Sequence, residues 1–143
     1  DRGAAGIREQ IANELPRLIE HSNPKAIGVG FGGPVNWRSG RIALSHQIEG
    51  WSEFPLTDWL EEISNGIPAF ADNDANVACL GEALRGAGKG CDPVFYVTMG
   101  SGVGGGLVTA GDIFHGAGVG ETEIGHIRLD RSGRIVESSC WAQ

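Results

Sequence analysis

The segment Asp72-Asn73-Asp74-Ala75-Asn76 crowds four Asx side chains into five residues, directly ahead of a stretch with helical periodicity. A carboxylate held at such a junction can accept the proton of a hydroxyl whose oxygen attacks phosphorus, and a neighbouring amide can orient that hydroxyl. Asp74 is the candidate base and Asn73 the candidate orienting group. A single Asx residue there could equally be a helix cap, so that reading stays open beside the chemical one. A second cluster is Glu121-Thr122-Glu123-Ile124-Gly125-His126. Glu123 accepts hydrogen bonds and His126 donates or accepts them, a pair suited to the vicinal hydroxyls of a polyol. Taken singly, each could be a surface charge or a satisfied polar group.

A third cluster is Gly100-Ser101-Gly102-Val103-Gly104-Gly105-Gly106, which satisfies the G-x-G-x-x-G pattern of dinucleotide sites. That pattern binds a pyrophosphate only when a helix follows the glycines. Leu107-Val108-Thr109 followed by Ala110-Gly111 reads instead as strand and turn, which leaves an NAD-dependent oxidoreductase as a remote alternative. A glycine turn between two strands can still gather backbone N–H groups around a phosphate. Gly100, Gly102 and Gly104 would supply the bare backbone, and Thr98 and Ser101 hydroxyl donors. A glycine hairpin that binds nothing is the competing reading. Glycine makes up 24 of the 143 residues, about 17% where ~7% is usual. Val103, Leu107, Val108, Ile113 and Phe114 interrupt the run, so it is neither a collagen nor a linker. Gly86-Ala87-Gly88-Lys89-Gly90 lacks the spacing of a Walker loop, and Lys89 reads as a linker charge.

These residues need elements to position them. Ile7, Ile11, Leu15 and Leu18/Ile19 form one helical stripe, which Pro16 should kink or split. Residues 26–31 read as a buried strand entering a tight turn at Gly32-Gly33-Pro34, and residues 41–44 as a second strand. Pro55 opens a helix as its first-turn proline, with Leu56, Trp59/Leu60 and Ile63 as the apolar face and Asn65-Gly66 as the end. A strand follows over 67–71 and a helix over 75–85, capped by Gly86. Beyond a glycine-rich linker come strands over 94–98 and 103–109, a short one around Ile113 and Phe114, and another over 126–129. A lobe boundary is placed near residue 91, dividing 1–91 from 92–143. His21, His46 and His115 read as structural, as do Trp37, Trp51, Trp59 and Trp141, although Trp51 lies in a loop able to line a pocket.

Composition narrows the function classes. With 41% hydrophobic and 20% charged residues the chain reads as a globular domain rather than a disordered segment, long enough to bury roughly 70% of its unfolded surface. The formal net charge of -7 opposes a phosphate-backbone footprint, so no nucleic acid is expected through this segment. No apolar stretch reaches the roughly 20 residues of a membrane span, and no membrane partner is expected. Cys79, Cys91 and Cys140 are odd in number and widely spaced, which reads as a reduced, cytoplasmic protein.

In order along the chain, these segments resemble the ROK family, which groups bacterial sugar kinases with sugar-responsive repressors. IGVGFGGPVN over 27–36 is similar to its sugar-loop strand and DNDANVACLGE over 72–82 to its catalytic strand–helix junction. TMGSGVGGG over 98–106 is similar to its phosphate loop, and Glu123-Ile124-Gly125-His126 to its sugar-binding Glu-x-Gly-His. The resemblance implies an α/β chain of the actin-like ATPase, or ribonuclease-H-like, fold: part of a small lobe over 1–91 and the start of a large lobe over 92–143, around a cleft. It implies an ATP-dependent sugar kinase of glucokinase type, with Asp74 as base, Asn73, Glu123 and His126 on a hexose, and Thr98 with Gly100 to Gly104 on ATP phosphates. A sugar-sensing repressor is the alternative within the family, and a catalytically inert sugar-binding module a further one; retention of Asp74 favours the kinase, because a sensor needs no base.

Two family features are absent. Nothing in residues 1–25 matches the Asp-x-Gly-Gly-Thr loop that serves magnesium, so the Mg2+ site is expected mainly elsewhere. This looks like the middle of a longer protein, inactive as an isolated segment and compatible with a homo-oligomer when whole. The family's cysteine-rich zinc loop after Gly-His is also missing, since residues 128–139 hold no cysteine. If that loop is deleted, Glu137 aligns with a third sugar-binding glutamate; aligning Cys140 instead puts Ala142 there. Zinc is not expected, because Cys140 and His126 cannot by themselves complete a structural four-ligand shell. Elemental analysis of the purified protein should find no stoichiometric zinc, and zinc lost on substituting His126 would refute this.

Overall fold

The computed structural model describes residues 3–45, 48–100, 102–116 and 124, together with the backbone of 127–129 and 135–137. Two compact units form, Asp1–Asp74 and Ala75–Gln143. This division falls ahead of the glycine-rich linker at which the sequence pattern suggests a lobe boundary.

The first unit opens with α1 (Gly3–Ser22), rich in good helix formers. Pro16 does not split it: proline removes one backbone bond, to the carbonyl four residues back, and lies here on an exposed position of a continuous helix. Ile7, Ile11 and Leu15 pack on the core, whereas Leu18 is 63% exposed, so the apolar stripe ends a turn early. Strand β1 (Ile27–Phe31) pairs in parallel with β4 (Ala69–Asn73), in a register running from Ile27 opposite Ala69 to Phe31 opposite Asn73. β4 starts two residues later than its sequence pattern suggests and runs on into the Asx cluster.

A parallel pair needs a crossover. Here it contains the hairpin β2 (Val35–Asn36) and β3 (Arg41–Ile42), then α2 (Leu56–Ile63). Pro55 is the N-cap of α2 rather than a first-turn residue. At the far end Asn65 and Gly66 adopt positive φ, and the Gly66 N–H donates to the Glu61 carbonyl at 2.8 Å, closing the helix. Val35, Ile42, Trp51, Leu56, Leu60, Ala69 and Ala71 are buried together, with Ala4 of α1. Trp51 is 4% exposed and meets Phe31 and Phe54 edge-on, with ring centroids 6.0 and 5.2 Å away. It is a core residue, in keeping with its structural reading. The Arg8 guanidinium lies over the Trp51 and Phe54 rings and donates to the Gly50 carbonyl at 2.8 Å, fastening α1 to that loop.

In the second unit α3 (Asp74–Arg85) continues from Ala75 onward. It lies against an antiparallel sheet of β5 (Val94–Met99), β6 (Val103–Thr109) and β7 (Asp112–Ile113), in the order β5-β6-β7. The turn from β6 to β7 puts Ala110 and Gly111 at φ 52° and 86°, the left-handed pair that a tight hairpin demands. Cys79 is buried, and burial pushes its thiol up; the Sγ–H donates to the Val94 carbonyl at 3.4 Å. β8 (Ile127–Leu129) and β9 (Ile135–Glu137) form an antiparallel pair, of which β9 has no counterpart in the sequence reading. Among the described residues no helix is long and apolar enough to cross a membrane.

Two glycines separate backbone strain from crowding. Gly66 has φ +87° with open space where a Cβ would stand, while Gly40 has φ +62° and its Cβ would overlap the Thr57 side chain. Gly66→Ala should therefore cost about 1–2 kcal/mol and Gly40→Ala about 2–5 kcal/mol, read by urea unfolding. Equal losses at the two positions would remove the Thr57 contact as a cause.

Candidate functional site

The junction of β4 and α3 arises from local sequence. β4 is apolar where it enters the core at Ala69 and Ala71, and the Asx residues at its end take over hydrogen bonding as the backbone turns helical. The Asn73 N–H donates to Asp72 Oδ1 at 2.7 Å, and Asn73 Nδ2 donates to the Gly33 carbonyl at 3.3 Å. That second bond joins the junction to the turn that ends β1, 40 residues earlier. Gly33 has φ +154° and its N–H closes on the Phe31 carbonyl at 2.9 Å, so the turn is tight, as Gly32-Gly33-Pro34 suggests.

Asp74 is exposed and begins α3, where a carboxylate is favoured by the partial positive charge of the helix end. A Cβ built on Gly32 would stand 3.5 Å from Asp74 Oδ2, so this carboxylate lies beside the same turn. Asn73 and Asp74 thus both lie beside the turn at Gly32-Gly33. The backbone of Gly32 and Gly33 and the carboxylate of Asp72 join them as supporting groups. Sequence reasoning has the turn and the Asx cluster separately; only their order, glycine turn first and Asx junction later, hints that strand pairing would unite them.

In the second unit Thr98 is half-buried on β5 and pairs with Gly104 on β6. Gly100 and Gly102 lie between the two strands, and the Gly100 N–H donates to the Gly102 carbonyl at 2.8 Å. Nothing described stands within 4 Å of where a Cβ would be at either residue. Among the described residues, packing thus gives no reason for glycine at 100 and 102. At Gly104 the protein itself gives the reason, because a Cβ would meet Thr98 Cγ2 at 3.3 Å and Ala75 Cβ at 3.4 Å. A strand rather than a helix follows the turn, and this removes the dinucleotide reading. Ser101, Glu123 and His126 lie outside the described residues. Glu137 is placed by its backbone alone: it pairs with Ile127, the residue after His126, at one end of the β8–β9 ladder.

The chain matches the ROK family over residues 2–142. It is 44% identical to the glucokinase of Halalkalibacterium halodurans over 132 residues, covering 89% of this chain and 39% of that protein. Among solved structures it is similar to a ROK family glucokinase from Streptomyces griseus in complex with glucose and AMPPNP, with TM-score 0.77 and 34% identity over 91% of this chain and 41% of that one. A ROK hexokinase from Thermus thermophilus matches with TM-score 0.74 and 36% identity, over 92% and 44% of the two chains. The chain thus spans about two fifths of the length of each of these relatives. It belongs to the ROK family, and its two units are a portion of the actin-like ATPase fold.

Proposed function

We propose that the chain is part of an ATP-dependent sugar kinase, and that it carries the acceptor-side base together with part of the phosphate-binding backbone. The observation that carries this reading is the exposed Asp74 carboxylate, set at a helix start beside the side-chain-free Gly32 and flanked by Asn73, whose amide is held by the Gly33 carbonyl. Further support comes from the 44% identity to a glucokinase and the likeness to a glucokinase that holds glucose and AMPPNP. A sugar-sensing repressor needs sugar contacts without a base, and the exposed Asp74 counts against it.

In this reading Asp74 takes the proton of a hexose hydroxyl as that oxygen bonds to phosphorus, and Asn73 orients the hydroxyl. ATP, when bound, supplies the γ-phosphoryl group and leaves as ADP. The backbone at Gly100 and Gly102, with Thr98, Ser101 and Gly104, is assigned to its phosphates; that no described residue stands within 4 Å of a Cβ at the first two glycines supports the role. Glu123 and His126 hold further sugar hydroxyls. Glu137 is added as a third sugar contact on its register opposite Ile127. Magnesium bridges phosphates in such transfers and is assigned mainly to residues outside this chain; among the described residues no group of three His, Cys, Asp or Glu side chains is placed to hold a metal ion. Consumption of ATP and the reading of the cysteines as reduced support a cytoplasmic location.

Asp74→Asn in the full-length protein should lower kcat by about a hundredfold or more while the glucose Kd changes much less. A steep rise in KM with kcat retained would reassign Asp74 to binding. Glu137→Gln should weaken glucose binding by about tenfold, the usual effect of losing one hydrogen bond to a charged group; an unchanged glucose Kd by calorimetry would remove it from the site.

A further inference from the structure

We propose that Gly106, and more weakly Gly104, are positioning residues that seat the first turn of α3 and thereby place Asp74, the residue immediately before that turn. The proposal rests on the reading of Asp74 as the base. Nothing in the motif marks Gly106 apart from the other glycines. In the structure it sits on the face of β6 that meets α3, and a Cβ there would stand 2.7 Å from the Ala75 carbonyl oxygen, 2.7 Å from Cys79 Cβ and 3.1 Å from Asn76 Cα. Ordinary contacts at such a carbon begin at 3.4 Å.

The atoms in the way are backbone or a Cβ, none of which can rotate aside. A methyl group on Gly106 must therefore lift the helix start off the strand by several tenths of an ångström. Gly104 meets the same turn through Ala75 Cβ at 3.4 Å, a contact that a small adjustment relieves. Cys79 holds the next turn of α3 down, buried and bonded to the Val94 carbonyl, so the helix cannot yield by sliding freely along the sheet. The glycines of the run thus divide. Among the described residues nothing stands against Gly100 and Gly102, which the proposed function gives to phosphate; at Gly106, and in part at Gly104, a helix rests on the strand.

Catalytic groups need placement to about half an ångström, and a misplacement of about 1 Å can cost a hundredfold in rate. The test compares Gly104→Ala, Gly106→Ala and Asp74→Asn in the full-length protein, with kcat expressed per folded molecule and KM measured for ATP and glucose. Gly106→Ala should lower kcat by about 10- to 100-fold with both KM values within about threefold, and Gly104→Ala should lower it less, in the order of the contact distances. Unchanged kcat per folded molecule in both variants would reduce the contact to packing and overturn the proposal, as would a rise in the ATP KM of Gly106→Ala with kcat retained, which would turn that glycine towards phosphate. Where Gly106→Ala fails to fold, Gly104→Ala decides by kcat per folded molecule: a loss supports the seat and an unchanged value overturns it. Full turnover in Asp74→Asn would overturn the base reading and the seat with it, whereas loss in Asp74→Asn alone would overturn the seat only.

Discussion

The parallel pairing of β1 with β4 is the constraint on which the first unit depends. Two parallel strands present their C-terminal ends side by side, so the segments leaving those two ends become neighbours. Here they are the turn after β1 and the Asx junction after β4, joined by the Asn73 amide on the Gly33 carbonyl. Such a pairing requires a crossover, and the crossover supplies most of the core: Val35 and Ile42 from the hairpin, Trp51 from the loop, Leu56 and Leu60 from α2. Slipping β4 by one residue would turn Ala69 and Ala71 outward and carry Asn73 away from Phe31, so core and site share one register.

The second unit shows how a single residue type serves opposite needs. Between β5 and β6, glycine keeps backbone uncovered, which suits an anion approaching several N–H groups. Along β6, glycine lets a helix come closer to a strand than any side chain allows. The two uses lie within seven residues and look alike in one dimension. They differ in the groups that stand opposite: no described residue in one case, and Ala75, Asn76 and Cys79 in the other. The same closeness explains why the boundary between compact units falls at the start of α3 and not in the linker after it: the helix belongs, by contact, with the strand it rests on.

Much of the fold is legible in the sequence because its signals are local. The apolar spacing from Val77 to Leu84, the strand formers from Val94 to Thr98, the Asn65-Gly66 stop and the Ala110-Gly111 turn each state a backbone preference within a few residues, and each element forms where those preferences point. Pro16 does not break α1 because a missing N–H removes one bond from a long ladder, and an exposed position tolerates the gap. Trp51 reads as structural and is so, although its loop position says nothing of depth: the ring is enclosed by Phe31 and Phe54, with the Arg8 guanidinium over it. β9 escapes a sequence reading because three residues are too few for a period to show.

The sequence by itself determined the chemistry available to this protein: an Asx cluster at a strand-to-helix junction, a glycine turn between strands, and the order of motifs that carries the family likeness. Tertiary structure decided which of these groups meet and which glycines serve packing. The reason is distance along the chain. The bond from Asn73 to Gly33 spans 40 residues, and the seat of α3 on Gly106 joins a helix to a strand about thirty residues later. Contacts of that length arise from pairing and packing between segments, and no local preference records them.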